Sequence, residues 1–116
     1  MKVMFISDLH GSYYWANKAI EKYHEEKADK LIILGDILYH GPRNDLPKDY
    51  NCKKVIALLN PLKKDIIAVR GNCDSEVDQM VLDFPMRSDY ALMDVDQHHF
   101  FMTHGHLFNE DQLPLL

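Results

Sequence analysis

Four short apolar runs in this 116-residue chain each end abruptly in polar side chains that can bind metal ions. They lie in FISDLHG at 5–11, ILGDILYHG at 33–41, VRGNCDSE at 69–76 and FMTHGH at 101–106. A continuous apolar run of this length is typical of a strand buried on both faces. The pattern therefore predicts buried strands whose ends carry functional residues.

The segments between the first three runs contain stretches with the apolar periodicity of helices. Strands are predicted over 2–7, 31–34 and 66–69, and apolar spacings of three and four predict helices over 13–26 and 53–60. We expect Trp15 to belong to the core-facing side of the first helix. A short helix over 75–82, capped by Ser75, and a hairpin of strands 90–95 and 98–103 complete the prediction. The β-α-β-α-β order predicts a parallel sheet, in an α/β fold with residues 1–116 as one domain.

Composition narrows the classes of function. The chain has 13 Lys and Arg against 18 Asp and Glu, and its net charge of −5 argues against non-specific nucleic-acid binding. Its two cysteines, Cys52 and Cys73, form no paired motif, which argues against a zinc ribbon or a disulfide scaffold. The first apolar run ends at Asp8 and is too short for a signal peptide or a membrane span. We expect a cytoplasmic protein without a membrane partner.

The polar residues fall where parallel sheets bind ligands, beyond the carboxyl ends of the strands. Asp8 and His10 follow the first strand, and residues two apart in an extended segment point the same way. Asp36 follows the second strand, and its two carboxylate oxygens can bridge two ions. The other candidates at strand ends are Asn72, His104 and His106.

Oxygen and nitrogen ligands without a thiolate suit Mn²⁺, Fe²⁺, Co²⁺ or Zn²⁺. Taken alone, an Asp-x-His pair, a Gly-Asp pair or a histidine is more often a surface or turn feature. Taken together, four such clusters at successive strand ends predict one shared metal site. Two ions about 3.5–4 Å apart can clamp the attacking and leaving oxygens of a phosphoryl centre.

The motifs SDLHG, GD, GNCD and THGH resemble those of the calcineurin-like metallophosphoesterase superfamily. The longer stretches ILGDILYHGPRN and AVRGNCDSEVDQM are similar to the small bacterial YfcE-type phosphodiesterases of that superfamily. The resemblance implies an αββα sandwich of two sheets and a two-metal phosphoesterase, with Mn²⁺ as the commonest ion and Ni²⁺ among the alternatives. It implies that Asp8, His10 and Asp36 bind the first ion, while Asp36, Asn72 and His104 bind the second. A hydroxide between the ions would attack phosphorus in line.

The resemblance also assigns roles to neighbouring residues. Many family members have a histidine where this chain has Cys73, and a thiol stabilises a leaving oxyanion poorly, which favours activated or diester leaving groups. A small residue that only fills a crowded turn is the equal alternative. Asp74 is expected to orient a ligand, or to act as a helix-entry carboxylate. The full set of predicted catalytic residues is Asn72, Cys73, Asp74, His104 and His106.

Three further residues are candidates for substrate binding. Arg43 and Arg70 can meet phosphate oxygens, since guanidinium groups match their geometry, although a solvated or structural arginine is the more common case. His40 follows Asp36 in a loop and is expected either to line the cleft or to lie on the surface.

The family pattern continues with further strands of the second sheet and a GHxH motif that completes both metal sites. No GHxH occurs in these 116 residues, so we expect part of the second sheet to be missing. Three explanations stay open: C-terminal truncation, histidines supplied by another chain of a homo-oligomer, or loss of catalysis. The sequence thus predicts a phosphodiesterase acting on a small phosphate ester. The alternative is a catalytically impaired metal-binding or protein-interaction module of the same fold.

Overall fold

The structure is a computed structural model that describes residues 1–108. Three parallel strands form the main sheet in the order β1-β2-β3, with Met4 beside Leu31 and Leu31 beside Ile66. Two antiparallel strands form a second, small sheet. The strands are β1 Val3–Ile6, β2 Lys30–Ile33, β3 Ile66–Ala68, β4 Tyr90–Val95 and β5 His98–Thr103. The predicted strands and the predicted parallel pairing are confirmed.

The helices begin where the sequence provides capping side chains. Helix α1 spans Tyr13–Glu25, and the Ser12 hydroxyl accepts a hydrogen bond from the Trp15 N–H at 3.3 Å. Helix α2 spans Cys52–Leu59 behind the N-cap Asn51, and a 3₁₀ helix, Asn60–Asp65, follows it. Helix α3 spans Glu76–Val81 and begins with a capping box of Ser75 and Asp78.

The core lies between the parallel sheet and the helices. Three of the four residues of the central strand β2, Leu31, Ile32 and Ile33, are fully buried, which explains why all three are apolar. The buried side chains around this strand come from α1, α2 and the segment after α3. They are Ala16, Ile20, Tyr23, Val55, Leu59, Leu82, Phe84 and Met86.

The prediction that Trp15 packs in the core is wrong, because its side chain is 55% exposed. Helix α1 buries Ala16, Ile20 and Tyr23, which recur at intervals of four and three residues. Adjacent helical residues are about 100° apart around the axis, so the residue before Ala16 is turned away from the sheet. Trp15 instead packs edge-on against Tyr14, with ring centroids 4.9 Å apart.

Within residues 1–108, no helix combines the length and the apolar character needed to cross a membrane.

Candidate metal centre

Backbone hydrogen bonds join the loops that follow β1 and β2. The Asp8 N–H donates to the Gly35 carbonyl at 3.0 Å, and the His10 N–H donates to the Asp36 carbonyl at 2.9 Å. Asp8, His10 and Asp36 all have a positive φ, between 48° and 57°. This left-handed conformation costs a non-glycine residue about 1–3 kcal/mol, so the surrounding hydrogen bonds must hold it in place. The two loops therefore hold three candidate ligands in conformations that an isolated chain would avoid.

The predicted reason for the convergence of Asp8 and His10 is wrong. The segment is not extended, since Asp8 and His10 both have the left-handed backbone conformation. The two side chains nevertheless meet, with His10 Nε2 3.2 Å from Asp8 Oδ1. The contact comes from the fold of the loop and not from the alternation of a strand.

Two glycines allow the loops after β2 and β3 to touch. A Cβ on Gly71 would collide with the Asp36 carboxylate and would lie 2.7 Å from the Asp36 backbone nitrogen. A Cβ on Gly35 would lie 2.7 Å from the Gly71 Cα. The Gly-Asp and Gly-Asn pairs of the sequence thus mark a place where two backbones are in direct contact.

Asp74 fastens these two loops together. Its carboxylate is 7% exposed and accepts hydrogen bonds from the backbone N–H groups of Asp36 at 2.8 Å, Ile37 at 3.0 Å and Gly71 at 2.7 Å. Helix α3 is capped by Ser75, so the Asp74 carboxylate is engaged with the loops instead of the helix entry. This geometry favours the ligand-orienting interpretation of Asp74 over the helix-entry one.

The two histidines are oriented by backbone carbonyl groups. His10 Nδ1 lies 2.9 Å from the Tyr39 carbonyl oxygen, and His104 Nδ1 lies 2.7 Å from that of Leu34. A carbonyl oxygen only accepts hydrogen bonds, so each Nδ1 carries a proton and donates it. In a neutral ring the Nε2 atom then presents a lone pair, and this is the orientation found in histidines that bind metal ions.

These Nε2 atoms face other acceptors. His10 Nε2 lies 3.6 Å from Asp36 Oδ2, and His104 Nε2 lies 3.2 Å from Asp36 Oδ2 and 2.9 Å from Asn72 Oδ1. Ligand atoms of Asp8, Asp36 and His104 all lie within 4.8 Å of one another. Lone pairs directed at lone pairs repel unless each ring gains a second proton or a cation occupies the space between them. The donor set fits a divalent cation with oxygen and nitrogen ligands.

Burial and neighbouring charges act differently on the two carboxylates. Burial raises the pKa of Asp8, but the Ser7 hydroxyl, which donates at 2.5 Å, and the nearby His104 outweigh it and lower the pKa overall. Burial also raises the pKa of Asp36, and here it prevails over the hydrogen bond that the Cys73 N–H donates to Oδ1 at 2.8 Å. Asp36 is 2% exposed, so its negative charge lacks hydration and would gain from a cation.

Cys73 lies next to the cluster. Its Sγ atom and ligand atoms of His10 and Asp36 fall within 4.8 Å of one another. Burial, and then the charges of Asp36 and Asp74, raise the pKa of the Cys73 thiol. The sulfur is therefore a neutral thiol near neutral pH, and not a thiolate nucleophile.

The four remaining candidates are placed in different surroundings. The Arg70 guanidinium pairs with Asp89 at 3.2 Å, which favours the structural interpretation of this arginine. The exposed Arg43 lines a cavity that Asn72 also lines. The other two candidates, His40 and His106, lie against other aromatic or imidazole rings.

The two histidines lie against other rings. His40 packs edge-on between Tyr39 and Tyr50, with ring centroids 5.0 and 5.3 Å away, so it lies neither in open solvent nor among the residues of the Arg43 cavity. The His106 ring is exposed, and its centroid is 5.3 Å from that of His104.

Comparison with known proteins places the chain in a family. The calcineurin-like phosphoesterase superfamily domain matches residues 1–115. The chain is 48% identical over 116 residues to the phosphodiesterase YfcE of Escherichia coli strain K12, with 100% of this chain and 63% of that protein covered. A solved structure of this E. coli phosphoesterase has a TM-score of 0.97 at 48% identity, covering 100% of this chain and 64% of that chain. A solved archaeal phosphodiesterase has a TM-score of 0.65 at 28% identity, covering 91% and 60%.

The chain thus spans less than two thirds of the length of these relatives. The match in structure confirms the predicted α/β metallophosphoesterase fold, and the described residues show its parallel sheet beside a small second sheet. Since the family domain matches almost every residue, the chain belongs to the calcineurin-like phosphoesterase superfamily.

Proposed function

We propose that this chain is a divalent-metal-dependent phosphodiesterase, or the part of one that carries most of the metal centre. The family match and the relatives named as phosphodiesterases support this activity. The observation that carries the proposal is the convergence of two histidine rings and several carboxylate or amide oxygens on the Asp36 carboxylate. Both histidine Nε2 atoms are aimed at its carboxylate while both Nδ1 atoms are committed to backbone carbonyls.

Five side chains would hold two divalent ions. We assign Asp8, His10 and Asp36 to the first ion and Asp36, Asn72 and His104 to the second. Asp36 is the residue common to both, which fits its burial at the centre of the cluster. Mn²⁺ is our first choice, and Zn²⁺, Fe²⁺, Co²⁺ and Ni²⁺ suit the same ligands.

When bound, divalent ions at such a site supply Lewis-acid chemistry and lower the pKa of water. The protein contributes the positions of the ligands. The carbonyl oxygens of Leu34 and Tyr39 fix the histidine rings, and the Asp74 carboxylate fixes the backbone of Asp36. The neutral Cys73 thiol is a weak hydrogen-bond donor to a leaving oxygen. Because a thiol stabilises a leaving oxyanion poorly, we expect a site of this kind to favour activated or diester substrates.

The test is hydrolysis of bis(p-nitrophenyl) phosphate by chelator-stripped protein, with and without added Mn²⁺. We expect turnover that depends on Mn²⁺ and is lost in Asp36→Ala. Asp83→Ala is the matched control, because Asp83 is an exposed carboxylate that lies outside the cluster. Absence of turnover in a folded, Mn²⁺-loaded protein would refute the enzymatic proposal and leave a metal-binding or interaction module.

Five other predictions accompany this proposal. We propose that residues 1–116 form one domain, which the single hydrophobic core cluster of the described residues supports. Location in the cytoplasm and assembly into a homo-oligomer stay predictions. We also propose a small phosphate ester as substrate and no nucleic-acid partner, since the chain has a net charge of −5.

A further inference from the structure

A cavity of about 450 Å³ opens beside the candidate metal centre. One wall is the turn after β2, and the other is the loop after β3. Its lining residues are Gly41, Pro42, Arg43, Asn44, Asn72 and Cys73. Ligand pockets for small molecules are commonly about 300–1,000 Å³, so this space is large enough for part of a substrate.

The cavity and the metal centre share a border. Asn72 lines the cavity, while its Oδ1 atom faces His104 Nε2 at 2.9 Å. Cys73 also lines the cavity, while its Sγ atom belongs to the cluster with His10 and Asp36. A phosphate bound at the metal centre would therefore have this cavity directly beside it.

The wall opposite the β3 loop is a tight, internally bonded turn. The Asn44 side-chain amide donates a hydrogen bond to the His40 carbonyl at 2.7 Å. Gly41 has a φ of 91°, and a Cβ there would lie 2.9 Å from Asn44 Nδ2 and 3.1 Å from Cys73 Sγ. Glycine thus lets the turn approach the β3 loop closely, so that the two loops enclose one space.

The charge that lines the cavity is positive. Among residues 1–108, Arg43 is the only charged residue that lines the cavity, two amide side chains accompany it, and no carboxylate does so. By contrast, the other two arginines among the described residues form ion pairs, Arg70 with Asp89 and Arg87 with Glu76. A guanidinium group and amides facing a shared space are suited to an anion with several acceptor oxygens.

We propose that this cavity binds the non-reacting arm of the phosphodiester, and that Arg43 selects arms that carry a second anionic group, a carboxylate or a phosphate. This inference rests on the proposed function. Hydrolysis adds water across one P–O ester bond, releasing an alcohol and a phosphate monoester that keeps the other arm. A product-like monoester should therefore place its phosphate at the metal centre and its arm in the cavity.

The test compares two monoesters of nearly equal shape. One is 3-phosphoglycerate, whose arm ends in a carboxylate, and the other is glycerol 3-phosphate, whose arm ends in a hydroxymethyl group. Their dissociation constants for the Mn²⁺-loaded protein are measured by calorimetry. We expect 3-phosphoglycerate to bind about 5- to 10-fold more tightly, the effect of one partly exposed charge-assisted contact.

Arg43→Gln should abolish this preference, because it removes the guanidinium that would bind the carboxylate of 3-phosphoglycerate. The affinity for glycerol 3-phosphate should stay within about twofold, because its arm carries no anion for Arg43 to bind. Arg87→Gln removes the same charge from an exposed arginine whose ion pair with Glu76 lies outside the cavity, and it should keep the preference. Equal binding of the two ligands by the parent protein, or a preference that survives Arg43→Gln, would overturn the inference and leave the proposed function standing. Failure of both ligands to bind to protein that hydrolyses bis(p-nitrophenyl) phosphate with Mn²⁺ would overturn the inference alone, whereas absence of that hydrolysis would overturn the proposed function and the inference with it.

Discussion

The Asp74→Asn substitution tests how the metal centre is held in place. Asp74 Oδ2 accepts from the backbone of Asp36 and Gly71, and Oδ1 accepts from Ile37. If the asparagine keeps its oxygen at the Oδ2 position, its NH₂ group faces the Ile37 N–H, and that donor loses its partner. A hydrogen bond to a charged group contributes about 1.5–3 kcal/mol, and the two remaining bonds weaken as their acceptor becomes neutral. The free energy of unfolding should fall by about 2–4 kcal/mol.

Urea unfolding followed by circular dichroism measures this loss, with Asp83→Asn as the control. Asp83 is exposed, so its substitution should change the free energy of unfolding by less than about 0.5 kcal/mol. Asp74→Asn should also weaken Mn²⁺ binding by about 10- to 100-fold, as loss of a residue that orients ligands typically does. A stability change as small as that of the control would refute the hydrogen-bond reasoning. A destabilised protein with unchanged Mn²⁺ affinity would refute the positioning role.

Three further substitutions or reactions test separate parts of the account. Gly71→Ala should abolish tight Mn²⁺ binding in a calorimetric titration, because the new Cβ collides with the Asp36 carboxylate; unchanged affinity would show that the two loops have room. Trp15→Ala should lower the free energy of unfolding by less than about 1 kcal/mol in urea, since Trp15 is 55% exposed, whereas a loss of 3–5 kcal/mol would indicate a core residue. In a Cys52→Ser background, the rate at which iodoacetamide alkylates Cys73 should rise with pH, and the midpoint of this rise should lie above the ordinary thiol pKa of 9.0. A midpoint below that value would contradict the raised pKa of Cys73.

The positions of the candidate ligands could be predicted from the sequence because the pattern has a simple physical cause. A buried strand cannot tolerate uncompensated polar groups, so the change from Ile33 to Asp36 or from Ala68 to Asn72 marks the end of a strand. Parallel strands then bring their carboxyl ends to one edge of the sheet. The capping residue Ser75 similarly predicted the start of helix α3.

Other features depend on contacts that leave no local signal in the sequence. The left-handed conformations of Asp8 and His10 are imposed by hydrogen bonds to a loop more than 20 residues away. The groups that orient the histidine rings are backbone carbonyls, which every residue has. The exposure of Trp15 follows from the rotation of α1 about its axis, and apolar spacing alone did not distinguish it from its neighbour Ala16.

Metal stoichiometry tests the central claim most directly. Chelator-stripped protein would be titrated with Mn²⁺ in a calorimeter, beside Asp36→Asn and the control Asp83→Asn, with each variant shown to be folded by circular dichroism. Two bound ions in the parent protein and in the control, and joint weakening of both ions in Asp36→Asn, are the predicted results, because Asp36 is proposed as the ligand that the two ions share. Two ions bound with unchanged affinity in Asp36→Asn would contradict the account of a shared metal centre.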